Sequence, residues 1–117
     1  MKYSSSFYYD LDLAEKGEDW INQIFTGGYK VEVKIDYMAH ITGNLFVEIM
    51  SRGTYSGLST TQADYWIFIV YSKNYCIILP TKTLKQLCKD NFTMNDLVSG
   101  GDNNTSKGLL LPIKKII

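Results

Sequence analysis

KVEVKIDYMAHITGNLFVEIMSRG, residues 30–53, contains two runs in which apolar and polar side chains alternate along the chain. In residues 31–36 two valines and Ile35 share one face, and the charged side chains share the other. Residues 44–51 repeat the pattern, with aliphatic residues on one face. A period of two is typical of β-strands that bury one face. The sequence therefore predicts two strands, joined by a turn in MAHITGN, residues 38–44.

The rest of the chain carries patterns for further strands and helices. A first helix is predicted from Asp10 or Asp12 to about Phe25, because apolar residues recur there near helical spacing. DYWIFIVYS (64–72) is apolar on both faces, as expected of a central strand covered on two sides. The other predicted elements are a short capped helix at STTQA (59–63), a strand at YCIILPT (75–81), a helix at KTLKQLCKD (82–90), a loop at SGGDNNTSKG (99–108) and a short edge strand at LLLPIKKII (109–117). Together they predict an α+β fold, with a central mixed sheet of four to five strands flanked by helices.

Length and composition indicate one domain over residues 1–117, with 45% hydrophobic residues and a net charge of zero. Because no apolar run approaches the roughly 20 residues that span a bilayer, we expect no membrane segment. The first ten residues lack the apolar core of a signal peptide, so we expect an intracellular, cytoplasmic protein. Cys76 and Cys88 match no zinc pattern, and two buried free thiols are favoured over a disulfide.

The charges are divided unevenly along the chain. Residues 1–64 hold nine acids and five bases, whereas residues 65–117 hold three acids and seven bases. Zero net charge argues against binding nucleic acid by bulk electrostatics. A fold that gathers the acids around a cation and spreads the bases around it could still hold a phosphate backbone. The alternative is that the charges are scattered over a solvated surface.

Asp36 and Glu48 are the two carboxylates that raise a question of function. If their strands were adjacent and antiparallel, the side chains could face each other at about 5 Å. Carboxylates that close repel each other unless a cation lies between them, and their oxygens suit Mg²⁺ or Mn²⁺. A third acid from the first helix could complete the site, and the ion would polarise a phosphoryl oxygen. The alternative is two ordinary surface acids.

Four segments in this order resemble the PD-(D/E)XK nuclease superfamily, and within it the small Holliday-junction-resolvase-like and phage-type members. They are KGEDWINQIF, VEVKID, GNLFVEI and SGLSTTQADYWI, with GLLLPI as a plausible last strand. The resemblance covers roughly residues 14–80 and implies a restriction-endonuclease-like αβββαβ core. It also implies a metal-dependent phosphodiesterase acting on DNA.

The resemblance assigns roles to particular residues. Asp36 and Glu48 would bind the metal, and Glu18, with Glu15 one turn away as a substitute, would be the helix acid. The segment after them would line the site, so its polar residues would position the phosphate or the attacking water; these are Ser59, Thr60, Thr61 and Gln62. Tyr37 and Tyr55, which flank the proposed site, could stack on bases.

Met50 is the main departure from the family pattern. The family places a lysine two residues after the second acid, where its ammonium helps to activate water and stabilises charge on the phosphate. A thioether cannot do this. Lys34 shares the strand face of Asp36 and could reach the same space, and Arg52 lies one alternation beyond Met50. Gln62 could orient the water instead.

The leading prediction is therefore a Mg²⁺- or Mn²⁺-dependent DNA endonuclease that is structure-selective or resolvase-like, as a phage-encoded protein could be. Catalysis would involve Glu18, Asp36 and Glu48, with Lys34 or Gln62 assisting the water.

Symmetric cutting of two strands would call for a homodimer. The alternative is a catalytically inactive nuclease-fold protein that binds DNA or a protein partner, such as a phage accessory or inhibitor protein. A third possibility is a small α+β domain whose acids are merely solvated.

Overall fold

The strands of the computed structural model form two sheets that share one hydrophobic core. The structure describes residues 19 and 21–117, with only the backbone of Asp102. The strands are β1 (Val31–Asp36), β2 (Asn44–Ser51), β3 (Thr54–Tyr55), β4 (Tyr65–Val70), β5 (Cys76–Pro80), β6 (Val98–Gly100) and β7 (Ser106–Pro112). The helices are α1, described over residues 21–26, α2 (Ala39–Thr42) and α3 (Thr81–Asn91). The predicted α+β class is confirmed.

The strands are divided between two sheets instead of forming one central sheet of four to five strands. The first sheet has the order β1-β4-β5, and the second has the order β3-β2-β7-β6. β1 pairs in parallel with β4, so the two strands of residues 30–53 belong to different sheets. The connection between them explains this, because α2 ends at Gly43 in a left-handed conformation (φ 74°) and redirects the chain into the second sheet.

The core lies between the inner faces of the two sheets, with α3 packed against it. β4 is the central strand of the first sheet, as its two apolar faces predicted. Its inner face contributes Trp66, Phe68 and Val70, and β2 contributes Leu45 and Val47 from the other sheet. Burying each large side chain stabilises the fold by about 1.5–3 kcal/mol. These contacts fix the position of the two sheets relative to each other, and with it the position of the elements that carry the candidate site.

The alternation in β1 is present, but its burial is the reverse of what hydropathy suggests. Val33 and Ile35 are 53% and 50% exposed, whereas Asp36 is only 9% exposed. On the charged face of β1, Glu32 and Lys34 are partly exposed and Asp36 alone is buried. The reason is that backbone N–H groups from the following segment surround the Asp36 carboxylate, as described below.

Three local predictions between residues 56 and 117 were wrong. No helix forms at STTQA within the described chain, because a 3₁₀ turn occupies Gly57–Ser59 and the Thr61 hydroxyl accepts the Ala63 N–H at 3.1 Å. The predicted loop at 99–108 contains the end of β6 and the start of β7. β7 is an interior strand between β2 and β6 and not an edge strand. Pro112 is tolerated because it is the last residue of that strand.

The helix predicted at residues 82–90 is confirmed as α3, which buries Leu84 and Cys88 and turns its lysines outward. Both cysteines are free, as predicted. Cys88 is buried, whereas Cys76 is exposed because it begins the edge strand β5, so the prediction of burial was wrong for Cys76. None of the helices in the described part of the chain is long and apolar enough to cross a membrane.

The two thiols should differ sharply in reactivity. Burial raises the pKa of Cys88 from 9.0 to about 11, so its thiol is neutral as well as covered at pH 8. We expect an aromatic disulfide reagent to modify Cys76 in the folded protein and Cys88 only after urea is added. Because unfolding lowers the pKa of Cys88 toward 9.0, its contribution to stability is lost as pH rises from about 9 to 11. Rapid modification of both thiols at pH 8 without denaturant would contradict the buried position of Cys88.

Candidate nucleic-acid interface

Asp36 ends β1, and its carboxylate is a buried hydrogen-bond acceptor between the two sheets. Oδ1 accepts the backbone N–H groups of Met38 at 3.0 Å and Ala39 at 2.9 Å. Oδ2 accepts the backbone N–H of Phe46 at 2.8 Å. The first two donors lie at the start of α2 and the third lies on β2. Because a carboxylate has about four lone-pair positions, most of its acceptor capacity is used by the backbone.

Glu48 lies on β2 in the second sheet, where its register partner is Gly108 of β7. The Ser106 hydroxyl donates to Glu48 Oε1 at 2.7 Å. The side chain is half-buried, and Oε2 accepts no hydrogen bond from the residues that the structure describes. Glu48 therefore keeps one oxygen available, in contrast to Asp36.

Asp36 and Glu48 are not a cross-strand pair, and the prediction that their strands are adjacent and antiparallel was wrong. β1 pairs with β4, whereas β2 pairs with β3 and β7. A group of three or more His, Cys, Asp or Glu side chains could hold a metal ion. Residues 19 and 21–117, without the side chain of Asp102, contain no such group. Glu18 and its substitute Glu15 lie outside the described residues. Metal binding by Glu18, Asp36 and Glu48 together stays a prediction.

Lys34 lies on the same face of β1 as Asp36, as predicted, but its ammonium has other partners. Lys34 Nζ is 3.5 Å from Glu32 Oε1 and 5.9 Å from the centroid of the Trp66 ring. Both Lys34 and Glu32 are on the first sheet, whereas Met50 is on the second and has Lys107 as its register partner on β7. Lys107 is therefore a cation next to Met50, and the sequence patterns did not single it out.

A shallow groove of about 370 Å³ lies between α3 and the 3₁₀ turn at Gly57–Ser59. Ile49, Leu58 and Cys88 form its apolar part, and Ser59, Lys85 and Lys89 supply its polar groups. Lys85 and Lys89 are one helical turn apart on α3, where like charges repel by a few tenths of a kcal/mol. Neither lysine forms an ion pair with a described side chain. The groove thus combines two uncompensated cations with an apolar floor.

The predicted phosphate-positioning segment borders this groove only in part. Ser59 lines the groove, and its hydroxyl donates to the Ile49 carbonyl at 2.5 Å, which fixes the turn against β2. Thr60 follows it as an exposed residue, whereas Thr61 uses its hydroxyl oxygen in the turn described above. Gln62 is exposed. Ser59 is therefore the member of the segment that lines the groove together with the lysines of α3.

Tyr37 and Tyr55 are both exposed, but they belong to different parts of the fold. Tyr37 follows β1 and packs against Tyr71, with ring centroids 5.1 Å apart. Tyr55 lies on the short edge strand β3 of the second sheet. Both side chains are more than half exposed, so a base could reach either ring.

Lys85 and Lys89 are the residues that the sequence interpretation missed. The sequence did contain a signal, because Lys82, Lys85 and Lys89 are spaced three and four residues apart within a predicted helix and must share one face. Charge totals for each half of the chain conceal this local row. No protein-family model matches the chain, and comparisons with curated proteins and with solved structures find no significant match. The candidate interface therefore depends on the geometry of the groove.

Proposed function

We propose that the chain binds DNA through its backbone phosphates at the groove between α3 and the Gly57–Ser59 turn. The observation that carries this proposal is that Lys85 and Lys89 lie in the groove beside Ser59 and form no ion pair with any side chain that the structure describes. Lysine ammonium groups that neutralise phosphates release condensed counterions, which drives binding without base recognition. Ile49, the partly exposed residue of the apolar floor, can contact sugars or unstacked bases.

Zero net charge predicts how such binding should behave. Because the chain carries no overall positive field, DNA affinity must come from a local group of cations and not from bulk attraction. Each lysine that contacts a phosphate contributes about one unit to the slope of log Kd against log salt concentration. We therefore expect modest affinity with a shallow salt dependence set by few contacts.

Exchanging the groove lysines for glutamine tests the proposal. In the Lys85→Gln, Lys89→Gln protein, Kd for a labelled four-way junction and for a linear duplex should rise at least tenfold. The salt slope should fall by about 2 between roughly 50 and 200 mM salt. Fluorescence anisotropy in EDTA measures both quantities.

The matched control is Lys114→Gln, Lys115→Gln, which removes the same charge from exposed lysines of the last 3₁₀ turn. If the control loses as much affinity as the groove variant, binding is unspecific attraction to any lysine. If neither variant changes Kd, the groove is not the DNA site.

Metal-dependent endonuclease activity is the second candidate function. It is supported by Glu48, whose Oε2 is free of hydrogen bonds from the described residues, and by the resemblance of its segment to PD-(D/E)XK nucleases. Mg²⁺ or Mn²⁺ would be held by Glu48 with Asp36 or Glu18. Branched and linear DNA incubated with Mn²⁺ should then be cut by the natural protein and left intact by Glu48→Gln. Intact DNA with both proteins would exclude this candidate.

We further propose that the protein acts in the cytoplasm, as a phage-encoded accessory or nuclease-like protein would. A resolvase-like reaction on two strands requires two copies of the site, and hence a homodimer. Light scattering during size-exclusion chromatography, with and without a four-way junction, distinguishes a monomeric binder from a dimeric resolvase.

A further inference from the structure

A second, smaller pocket lies at the opposite end of β2 from Asn44, where the β2–β3 turn meets the loop before β7. Its volume is about 170 Å³, and its lining residues are Met50, Arg52, Gly53, Asn104, Thr105 and Lys107. The Arg52 backbone N–H donates to the Thr105 carbonyl at 2.9 Å, which joins the two loops. Met50 and Lys107 are register partners on β2 and β7 and form the wall beneath them. The pocket is therefore built from two fixed loops on one sheet.

The charge in this pocket is positive. Arg52 and Lys107 both line it, and none of the carboxylates whose side chains the structure describes pairs with either of them. Asn104 and Thr105 add neutral polar groups to the wall. Two cations in one pocket favour a ligand with two negative charges, and arginine can bind such a ligand through two parallel hydrogen bonds.

The β2–β3 turn carries an arginine where the backbone favours another residue. Arg52 and Gly53 have φ angles of 51° and 81°, the positive values at both central positions that define the type I′ hairpin turn. Asn-Gly is the preferred pair at these positions, because asparagine tolerates the left-handed conformation better than arginine does. The loop opposite places asparagines, Asn103 and Asn104, at its own positive φ angles of 55° and 56°. Of the residues with positive φ angles in these two loops, Arg52 is therefore the one that the backbone conformation does not favour.

We propose that the Arg52–Lys107 pocket binds a terminal phosphate group in its dianionic form. A phosphate monoester carries about −1.5 to −2 charges at pH 7, which matches two cations, whereas an internal phosphodiester carries only one charge. The volume is below the roughly 300 Å³ typical of pockets that enclose whole small molecules, so the pocket accepts the phosphate and leaves the rest of the ligand outside. This site is separate from the α3 groove and does not depend on DNA binding there.

Three probes separate the possible sources of the phosphate: inorganic phosphate, a short oligonucleotide with a 5′-phosphate, and the same oligonucleotide with a 5′-hydroxyl. Chloride at equal ionic strength is the reference. In NMR titrations of the natural protein, phosphate should shift the amide signals of Arg52, Gly53 and Asn104 along a saturable curve. The 5′-phosphorylated oligonucleotide should produce the same shifts at lower concentration than the 5′-hydroxyl form. Saturation by inorganic phosphate alone would support the pocket and assign it to the free ion.

Arg52→Asn is the decisive variant because it removes the guanidinium and improves the turn. Its melting temperature should equal or exceed that of the natural protein, while its Kd for phosphate rises at least tenfold. Lys107→Gln should weaken phosphate binding similarly, and Lys114→Gln should not. Non-saturable shifts indistinguishable from those with chloride, or unchanged phosphate affinity in Arg52→Asn, would overturn the proposal. The Lys85→Gln, Lys89→Gln protein should still bind phosphate here even if it no longer binds DNA.

Discussion

Asp36→Ala is expected to lower the free energy of unfolding by at least about 3 kcal/mol, because three backbone N–H groups, one buried and two partly buried, lose their acceptor at about 1–3 kcal/mol each. Domains of this size have total stabilities of about 5–15 kcal/mol, so the loss is a large fraction of the whole. The donors belong to α2 and β2, and the carboxylate belongs to β1. The variant should therefore loosen the junction of the two sheets as well as the turn. Urea unfolding followed by tryptophan fluorescence measures the effect.

Asp36→Asn and Asp64→Ala make this prediction specific. An asparagine oxygen can still accept the Met38 and Ala39 N–H groups, but its NH₂ group cannot accept from Phe46, so a loss of about 1–3 kcal/mol is expected. Asp64 accepts one backbone N–H, that of Lys30 at 2.9 Å, from an exposed position, and its loss should cost about 1 kcal/mol or less. If Asp36→Asn were more stable than the natural protein without metal, Asp36 would be one of a repelling carboxylate pair instead.

Gly57→Ala is expected to destabilise the fold by about 2–5 kcal/mol. Gly57 has a φ of +55°, where an L-residue costs about 1–2 kcal/mol. A Cβ atom there would also overlap the backbone carbonyl oxygen of Glu48 and lie 2.8 Å from its carbonyl carbon. Forcing such an atom against a fixed strand adds about 1–3 kcal/mol. The variant should displace the Gly57–Ser59 turn from β2 and disturb the groove beside it.

Gly43→Ala is the control for the backbone part of this effect. Gly43 has a φ of +74°, but a Cβ atom there meets nothing within 4 Å. Chemical denaturation should therefore show a loss of only about 1–2 kcal/mol. Equal losses in the two variants would mean that the turn is not in close contact with β2. A larger loss in Gly57→Ala supports the contact that fixes one wall of the groove.

The elements with strong local patterns could be predicted from the sequence. β4 was predicted from its two apolar faces and α3 from its helical spacing, because both depend on neighbouring residues. The division into two sheets depends on α2 and on Asp36, whose partners lie up to ten residues away. β7 was partly taken for a loop because it contains Ser106 and Gly108. The glycine is required by the neighbouring strand β2, because a Cβ atom at Gly108 would lie 2.5 Å from the Val47 carbonyl oxygen.

The candidate site could be predicted only in part, because it also depends on contacts between segments that are distant in the sequence. Ser59 was singled out as a residue that positions phosphate beside Asp36 and Glu48, whereas the structure places it in the groove with Lys85 and Lys89. The role of Asp36 was not predictable from residue type, because an acid that binds a metal and an acid that caps a turn look alike in a strand pattern. Lys85 and Lys89 were hidden by a zero net charge, although their helical spacing placed them on one face. Charge has to be assigned to a face of an element before it indicates a ligand.

The central claim is that the α3 groove binds DNA phosphates without a metal ion. The most direct measurement is the affinity of the natural protein for a four-way junction in EDTA and in Mn²⁺, at matched ionic strength, with the DNA examined for cleavage afterwards. We predict the same affinity in both conditions, intact DNA, and weaker binding in both by Lys85→Gln, Lys89→Gln. Binding that requires Mn²⁺, accompanied by cleavage that Glu48→Gln abolishes, would contradict this claim.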